Sequence, residues 1–349
     1  MKKKLTTIVA GICALALLGG CAGGAKGVLS NANITIKQYK GLEVDIVETI
    51  AVTDEDVEMS IKSDLETLAT KTDVTGRAAK LGDIAIIDFE GKKDGVAFEG
   101  GAGTDFELEL GSKTFIDGFE DGIVGHNIGE TFDLDLTFPE TYGNADVAGQ
   151  AVVFTVTLKG LKEKNVPELT EDVLTQLGTE AKTIEEYKAQ VKADLEKSNK
   201  ETAESTLLNS VWEALVENCE VKKYPEGKVD EYQKNMEQQY SYYAQMYGME
   251  LDQFFKQMFG MSSKELAKQT VTQELAITLI AEKEGLTIGD KAYEAGVKGL
   301  AEQYGYQDKE EFVKAYGEDT IRQALLQEKV GNFLVENCVQ VEAKEDKEK

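Results

Sequence analysis

The run Phe115-Ile116-Asp117-Gly118-Phe119-Glu120-Asp121-Gly122-Ile123-Val124-Gly125-His126, followed by Gly129-Glu130, decides how this chain is read. It lies between Leu81 and Leu161, where short β-rich runs are broken by glycine. Four strand candidates surround it: Ile84 to Phe89, Phe106 to Leu110, Phe132 to Leu136 and Val152 to Leu158. Their apolar residues mostly alternate, which predicts a compact antiparallel sheet with one buried face. Phe98-Glu99-Gly100 precedes the run and Phe138-Pro139-Glu140-Thr141-Tyr142 follows it.

In that order and spacing, these motifs resemble the FKBP-type prolyl isomerase domain in its trigger-factor version. The resemblance implies a peptidyl-prolyl cis-trans isomerase and covers residues 78–164. It maps a catalytic set onto Phe89, Phe98, Glu99, Ile116, Phe119, Tyr142 and Phe154, with Phe106 and Phe115 as substrate contacts and Val147 at the lip of the pocket. Phe119 stands where many FKBP domains carry Trp, as expected for trigger-factor relatives. Without the motif order, phenylalanines on strands read as core. Glu99 is either an orienting group or a solvated strand-end charge. His126, the sole histidine, is read as structural, because this mechanism needs no base.

Prolyl isomerisation suits such a residue set. The amide barrier of roughly 18–20 kcal/mol comes from resonance that places charge on the carbonyl oxygen, and the twisted transition state gives that charge up. An aromatic pocket therefore favours the twisted state, while the Ile116 N–H and the Tyr142 hydroxyl fix substrate carbonyls.

After Pro167 the texture becomes helical, with 3.6-residue periodicity over Ile184–Asn218, Lys228–Tyr247, Ser263–Glu284, Lys291–Tyr304 and Thr320–Asn337. From Pro167-Glu168-Leu169-Thr170 to Val341 the pattern resembles the trigger-factor C-terminal domain. The expected fold class is α+β, an FKBP-like antiparallel sheet domain joined to an extended all-helical domain over 165–341. Five of the seven methionines, Met236, Met246, Met249, Met258 and Met261, are interleaved with aromatics in this region. Thioethers and aromatics make an adaptable surface for unfolded segments. Tyr240, Tyr243, Met246, Phe254 and Met258 are the candidate client contacts, and the core of a helix hairpin is the competing reading. Cys219 and Cys338 each end the phrase Val-Glu-Asn-Cys. They read as small buried residues at helix ends, with a disulfide as the extracytoplasmic alternative.

Residues 34–77 are expected to form a strand and a helix capped by Thr53-Asp54-Glu55-Asp56, with Val57, Ile61, Leu65 and Leu68 on one face. Ahead of them, 21–33 reads as a flexible tether and 1–20 as a signal peptide: Lys2, Lys3 and Lys4, then the apolar run Leu5 to Leu18. Leu18-Gly19-Gly20-Cys21 resembles a bacterial lipobox, which implies lipidation of Cys21, with a plain secretory signal or an uncleaved anchor as alternatives. No ribosome-docking domain or Gly-Phe-Arg signature is found, so ribosome binding is not expected. Residues 342–349 read as a charged tail.

A net charge of −26 argues against nucleic acid as a partner, since phosphate binding needs concentrated Lys and Arg. No cysteine spacing resembles a zinc site, and neither metal nor cofactor is expected. The expected partners are unfolded or nascent exported polypeptides containing proline, and a membrane reached through the lipid. Two further readings compete with a foldase: a holdase that uses the pocket only to bind peptides, and a scaffold or adhesin on the same fold.

Overall fold

The computed structural model of the chain describes residues 28–342, so the expected signal peptide, the expected lipidation site at Cys21 and the tail beyond Glu342 lie outside the described residues. In chain order the elements are β1 (Leu29–Ser30), β2 (Ile34–Ile36), β3 (Glu43–Asp45), α1 (Asp54–Thr67), β4 (Thr70–Val74), β5 (Asp83–Lys93), β6 (Val96–Glu109), α2 (Phe119–Ile123), β7 (Thr131–Thr137), β8 (Ala151–Asn165), α3 (Glu171–Gln176), α4 (Ile184–Glu217), β9 (Cys219–Val221), α5 (Lys228–Met246), α6 (Leu251–Phe259), α7 (Ser263–Glu284), α8 (Asp290–Gln303), α9 (Lys309–Tyr316), α10 (Glu318–Glu336) and β10 (Val339–Val341). They divide into two compact units, one comprising Val52–Leu195, the other the chain up to Ala51 and again from Glu196. The architecture is α+β, an antiparallel sheet and a predominantly helical part.

In the Val52–Leu195 unit, β8 organises the sheet. One edge of β8 pairs antiparallel with β5, which pairs in turn with β6. Its other edge is shared, β7 taking Ala151–Thr157 and β4 taking Leu161–Asn165. Alternation buries Val152, Phe154, Val156 and Leu158, and then a register shift places Ile86 opposite Gly160 but Ile87 opposite Leu158. That bulge returns Leu161 to the buried face. The sheet therefore begins before residue 78, because β4 lies in the stretch assigned to a linker. Helix α1 has the expected start: Thr53 accepts from the Asp56 N–H at 3.2 Å and Asp56 accepts from the Thr53 N–H at 2.8 Å. Its buried face of Val57, Ile61 and Leu65 packs on Val173, Leu174, Tyr187 and Val191.

The second unit corrects three expectations. The Ile34–Ile46 strand is two strands, because the chain turns at Gly41, whose φ of +64° is in the left-handed region. Strand β2 pairs with β9, and β3 pairs in parallel with β10, so the region after residue 165 contains two short strands and is not all helix. The presumed tether is ordered from Leu29 onward. Strand β1 folds back on β2 through a turn in which Asn31 Oδ1 accepts from the N–H groups of Asn33 and Ile34, both at 2.9 Å. Linker residues 34–77 are thereby split between the two units at Ala51/Val52.

Both Val-Glu-Asn-Cys phrases do the same job. At the end of α4, Asn218 donates its side-chain amide to Ala214 O at 2.8 Å and its carbonyl accepts from Lys37 N–H at 2.8 Å. At the end of α10, Asn337 donates to Phe333 O at 2.7 Å and accepts from Gly41 N–H at 2.7 Å. Each helix stops and hands the chain to a strand that pairs with the N-terminal segment. Cys219 and Cys338 are free thiols, half-buried against this core, and burial pushes the Cys219 thiol up to about 12. Ile34, Ile36, Tyr39, Leu42 and Val44 pack on Val211, Leu215, Ile280, Val330 and Leu334. No helix among the described residues is long and apolar enough to cross a membrane.

One buried ion pair sets the entry to the sheet. Asp83, fully buried at the start of β5, accepts from Arg77 Nη1 at 2.5 Å, from Arg77 Nη2 at 2.8 Å and from Lys80 N–H at 3.0 Å. The Arg77 hydrogen bonds hold the Asp83 carboxyl below its ordinary value despite burial. A carboxylate lowered in the folded state contributes stability above the unfolded-state value and loses it as pH falls through the folded one. Asp83→Asn should therefore cost roughly 1–3 kcal/mol at neutral pH, since it removes the charge-assisted hydrogen bonds from Arg77 and leaves that guanidinium only Glu163, 3.9 Å away. The deficit should shrink in acid, below the ordinary Asp value of about 3.9. Urea denaturation across this range checks it, and a deficit that does not change with pH contradicts the assignment.

Candidate functional site

The sequence-predicted aromatic residues converge on one cluster in the sheet unit. Phe119, the first residue of α2, is fully buried; its ring stacks on Phe115 at 4.3 Å between centroids and meets Phe154 edge-on at 5.2 Å. Phe89 touches Phe106, Phe115 and Phe119 at 5.9, 5.4 and 5.8 Å, each near perpendicular. Phe98 meets Phe154 at 5.8 Å and Phe138 at 5.7 Å, and Tyr142 lies 4.5 Å from Phe138. Such edge-to-face contacts hold ring orientation more tightly than aliphatic packing does.

Glycines on the strands make room for these rings. A Cβ at Gly91 would lie 2.6 Å from the Phe154 ring and 2.7 Å from that of Phe98; at Gly101 it would lie 2.5 Å from Phe98, and at Gly103 2.6 Å from Phe89. Each ring thus rests on bare backbone. Exposure is graded across the cluster: Phe119 and Phe154 are buried, Phe89, Phe98, Phe115 and Ile116 are half-buried, and Phe106 and Tyr142 are 42% and 44% exposed. This is the layout of a floor, walls and a rim.

Glu120 holds the adjoining loop. Its carboxylate, 7% exposed, accepts from the N–H groups of Gly111 (2.7 Å), Lys113 (3.0 Å), Thr114 (2.9 Å) and Phe115 (3.3 Å) and from the Ser112 hydroxyl (3.2 Å). Burial opposes ionisation, and these donors outweigh it, so the carboxyl sits below its ordinary value. The next N–H along the chain, that of Ile116, has no partner among the described residues. His126 has a structural engagement: its ring stacks on Phe132 at 3.5 Å, and Nδ1 lies 2.6 Å from Glu130.

Several assignments change. Val147 is buried in the core beneath the aromatic cluster, because the backbone turns at Asn144, whose carbonyl accepts from Val147 N–H, and so it cannot form a lip. Glu99 is exposed and forms no ion pair or side-chain hydrogen bond among the described residues, so it does not orient the pocket. Phe138, in the Phe138-Pro139 motif, is a further member of the cluster, buried against Phe98, Tyr142 and Phe154. Glu120 joins the site through backbone N–H donors whose direction only the fold sets, so no sequence signal points to it.

Within the helical unit the candidates separate into two groups. Phe254 is 3% exposed, packed edge-on against Phe255 at 6.3 Å, and half-buried Tyr240 lies 5.2 Å from Phe259. Tyr240 belongs to the core that α5, α6 and α7 share, with Met236, Phe255 and Ala267 at its centre, and Phe254 is buried against the rings of Tyr240, Tyr247 and Phe255. Phe254 is therefore not an open client contact. Tyr243, Met246 and Met258 are exposed, and so are the neighbouring Tyr242 and Tyr247. A separate cleft of about 510 Å³, lined among others by Asp64, Tyr187, Gln190 and Asp194, shares no residue with the aromatic cluster. There the Tyr187 hydroxyl donates to Asp64 at 2.6 Å.

Two family profiles match the chain: FKBP-type peptidyl-prolyl cis-trans isomerase over residues 75–159, and bacterial trigger factor protein C-terminus over residues 183–336. Trigger factor from Caldanaerobacter subterraneus subsp. tengcongensis is 35% identical over 315 residues, 87% of this chain and 72% of that protein. Trigger factor from Bacillus thuringiensis is 35% identical over 329 residues, 89% of this chain and 76% of that protein. A solved structure, described as promiscuous substrate recognition in folding and assembly activities of the trigger factor chaperone, aligns over 86% of this chain and 74% of its own, at 18% identity and a TM-score of 0.38. The chain belongs to the trigger factor family and carries an FKBP-type peptidyl-prolyl cis-trans isomerase domain.

Proposed function

We propose that this protein is a membrane-anchored foldase on the extracytoplasmic face of a bacterial cell membrane. It isomerises X-Pro bonds and holds unfolded exported polypeptides. The observation that carries the catalytic part is the graded aromatic cluster: a buried Phe119 floor, half-buried walls and an exposed Tyr142 rim, beside an Ile116 N–H without an internal partner. A proline ring seated on Phe119 loses contact with water. The carbonyl preceding it carries less charge when the amide is twisted, so an apolar surround lowers the barrier without a nucleophile or a base. Ile116 N–H and the Tyr142 hydroxyl are the donors available to hold neighbouring carbonyls. Uncatalysed, the step takes roughly 10–100 s at 25 °C, slow enough to delay the folding of exported chains.

Holding is assigned to the exposed Tyr242, Tyr243, Met246, Tyr247 and Met258 of the α5–α6 region. Amphipathic aromatics and flexible thioethers adapt to unrelated apolar segments. Anchoring rests on Leu18-Gly19-Gly20-Cys21, where a diacylated and further acylated cysteine supplies the two or more chains that stable attachment needs.

Four tests follow from this reading. Tyr142→Phe should lower kcat/KM on a short prolyl peptide by the worth of one hydrogen bond, about 0.5–1.5 kcal/mol. Phe119→Ala should reduce isomerisation severely, with a folding cost of roughly 3–5 kcal/mol to be followed by melting. Wild-type rates in folded pocket variants would contradict the site. Replacing Tyr242, Tyr243, Met246 and Met258 with Gln or Ser should weaken suppression of client aggregation and leave peptide isomerisation intact; loss of both activities together would refute two separable surfaces. Finally, Cys21→Ala should abolish acylation and release the protein from the membrane fraction, whereas unchanged mass and retention would rule out the anchor.

A further inference from the structure

Glu120 is a buried carboxylate without a cation. Among the described residues it takes part in no ion pair, and everything that compensates its lost hydration comes from the loop Gly111–Phe115. A buried charge held this way is expensive to misplace, because each donor that moves away leaves it less solvated. The loop pays a conformational cost in return: Lys113 takes φ +60°, a left-handed conformation that a residue with a Cβ rarely adopts. Its N–H reaches Glu120 Oε2 in that conformation.

The donors are used consecutively. Gly111, Lys113, Thr114 and Phe115 give their N–H groups to Glu120, and Ser112 gives its own to Glu109 O at 3.1 Å. Ile116 is the first residue of the series whose N–H remains available. The same carboxylate belongs to the residue after Phe119, and the Phe119 ring stacks on Phe115 at 4.3 Å. One side chain therefore ties together the floor, one wall and the backbone donor of the aromatic site.

We infer that Glu120 is a positioning residue for prolyl isomerisation, fixing the 111–115 loop so that the Ile116 N–H and the Phe115 and Phe119 rings keep the geometry the reaction needs. This rests on the isomerase reading above. Glu120→Gln is nearly isosteric but presents an amide NH₂ to one set of loop N–H donors, so it cannot satisfy both. Glu120→Asp keeps the charge and falls one methylene short.

The test uses the full chain, with Asp121→Asn as a control at an exposed neighbour. Peptide isomerisation and amide hydrogen exchange are read on the same samples. In Glu120→Gln, kcat/KM should fall about 10- to 100-fold. The amides of Gly111, Lys113, Thr114 and Phe115 should exchange faster while those of β5 and β8 keep their protection. Glu120→Asp should recover part of the rate, and Asp121→Asn should behave as wild type. Folded Glu120→Gln isomerising within about twofold of wild type would overturn the inference. So would faster exchange spread equally through β5 and β8, which would mark Glu120 as a residue of general stability only. A wild-type protein that does not isomerise would count against the proposed function itself, and the exchange measurement would still decide whether Glu120 holds the loop.

Discussion

The ring of Phe154 on β8 lies over Gly91 on β5, and the rest of the site depends on that one missing side chain. Any Cβ at position 91 would sit inside van der Waals contact of both Phe154 and Phe98. Since Phe154 is the edge-on partner of Phe119 and Phe98 the partner of Phe138, displacing either ring opens the cluster. Gly101 and Gly103 repeat the arrangement on β6 under Phe98 and Phe89. Glycine weakens a strand, and a β-branched residue would pair better at each place. The sheet gives up local strand propensity where the aromatic floor needs room, and recovers order through the 15-residue β8, which pairs with three other strands. Local disagreement with propensity at a functional site is the expected signature of such a trade.

In the other unit, the organising contact is the N-terminal segment laid across two helix ends. The carbonyls of Asn218 and Asn337, each left open at the end of a helix, are taken up by the N–H groups of Lys37 and Gly41. Strands of three residues cannot be stable alone, so their persistence derives from the apolar side chains they deliver: Ile34, Ile36, Leu42 and Val44 are all buried. Sequence-distant segments are joined here, which makes the unit a product of tertiary pairing more than of helix propensity.

That distinction explains what could be read in advance. Where the signal is local, the sequence carried it: the Thr53 cap with Asp56 three residues on, the 3.6-residue periodicity of α7, and the alternation of β8 were all visible. Motif order placed Phe89, Phe98, Phe119 and Phe154 in one cluster that composition alone would have called core. Strands β9 and β10 were invisible because three residues have no periodicity and their partners lie far along the chain. Helix α6 has an apolar face of Leu251, Phe254, Phe255 and Met258 at i, i+3, i+4 and i+7, but its nine residues between Gly248 and Gly260 fall below the roughly ten to twelve from which periodicity distinguishes a helix. Phe254 and Val147 were misplaced for a related reason, since periodicity does not say which side of an aromatic-rich hairpin or turn meets solvent. The role of Glu120 could not be derived at all, because it consists of backbone donors whose direction is set by the fold.

The central claim is that the aromatic cluster turns over prolyl bonds rather than merely binding them. Two-dimensional exchange NMR on a short proline-containing peptide, with the full chain at a small fraction of the peptide concentration, measures this directly. The account predicts cross-peaks linking cis and trans resonances at rates far above the uncatalysed scale of roughly 10–100 s per event. Broadening or shifts of the peptide signals with an exchange rate equal to that of the peptide alone would contradict it and leave a peptide-binding module.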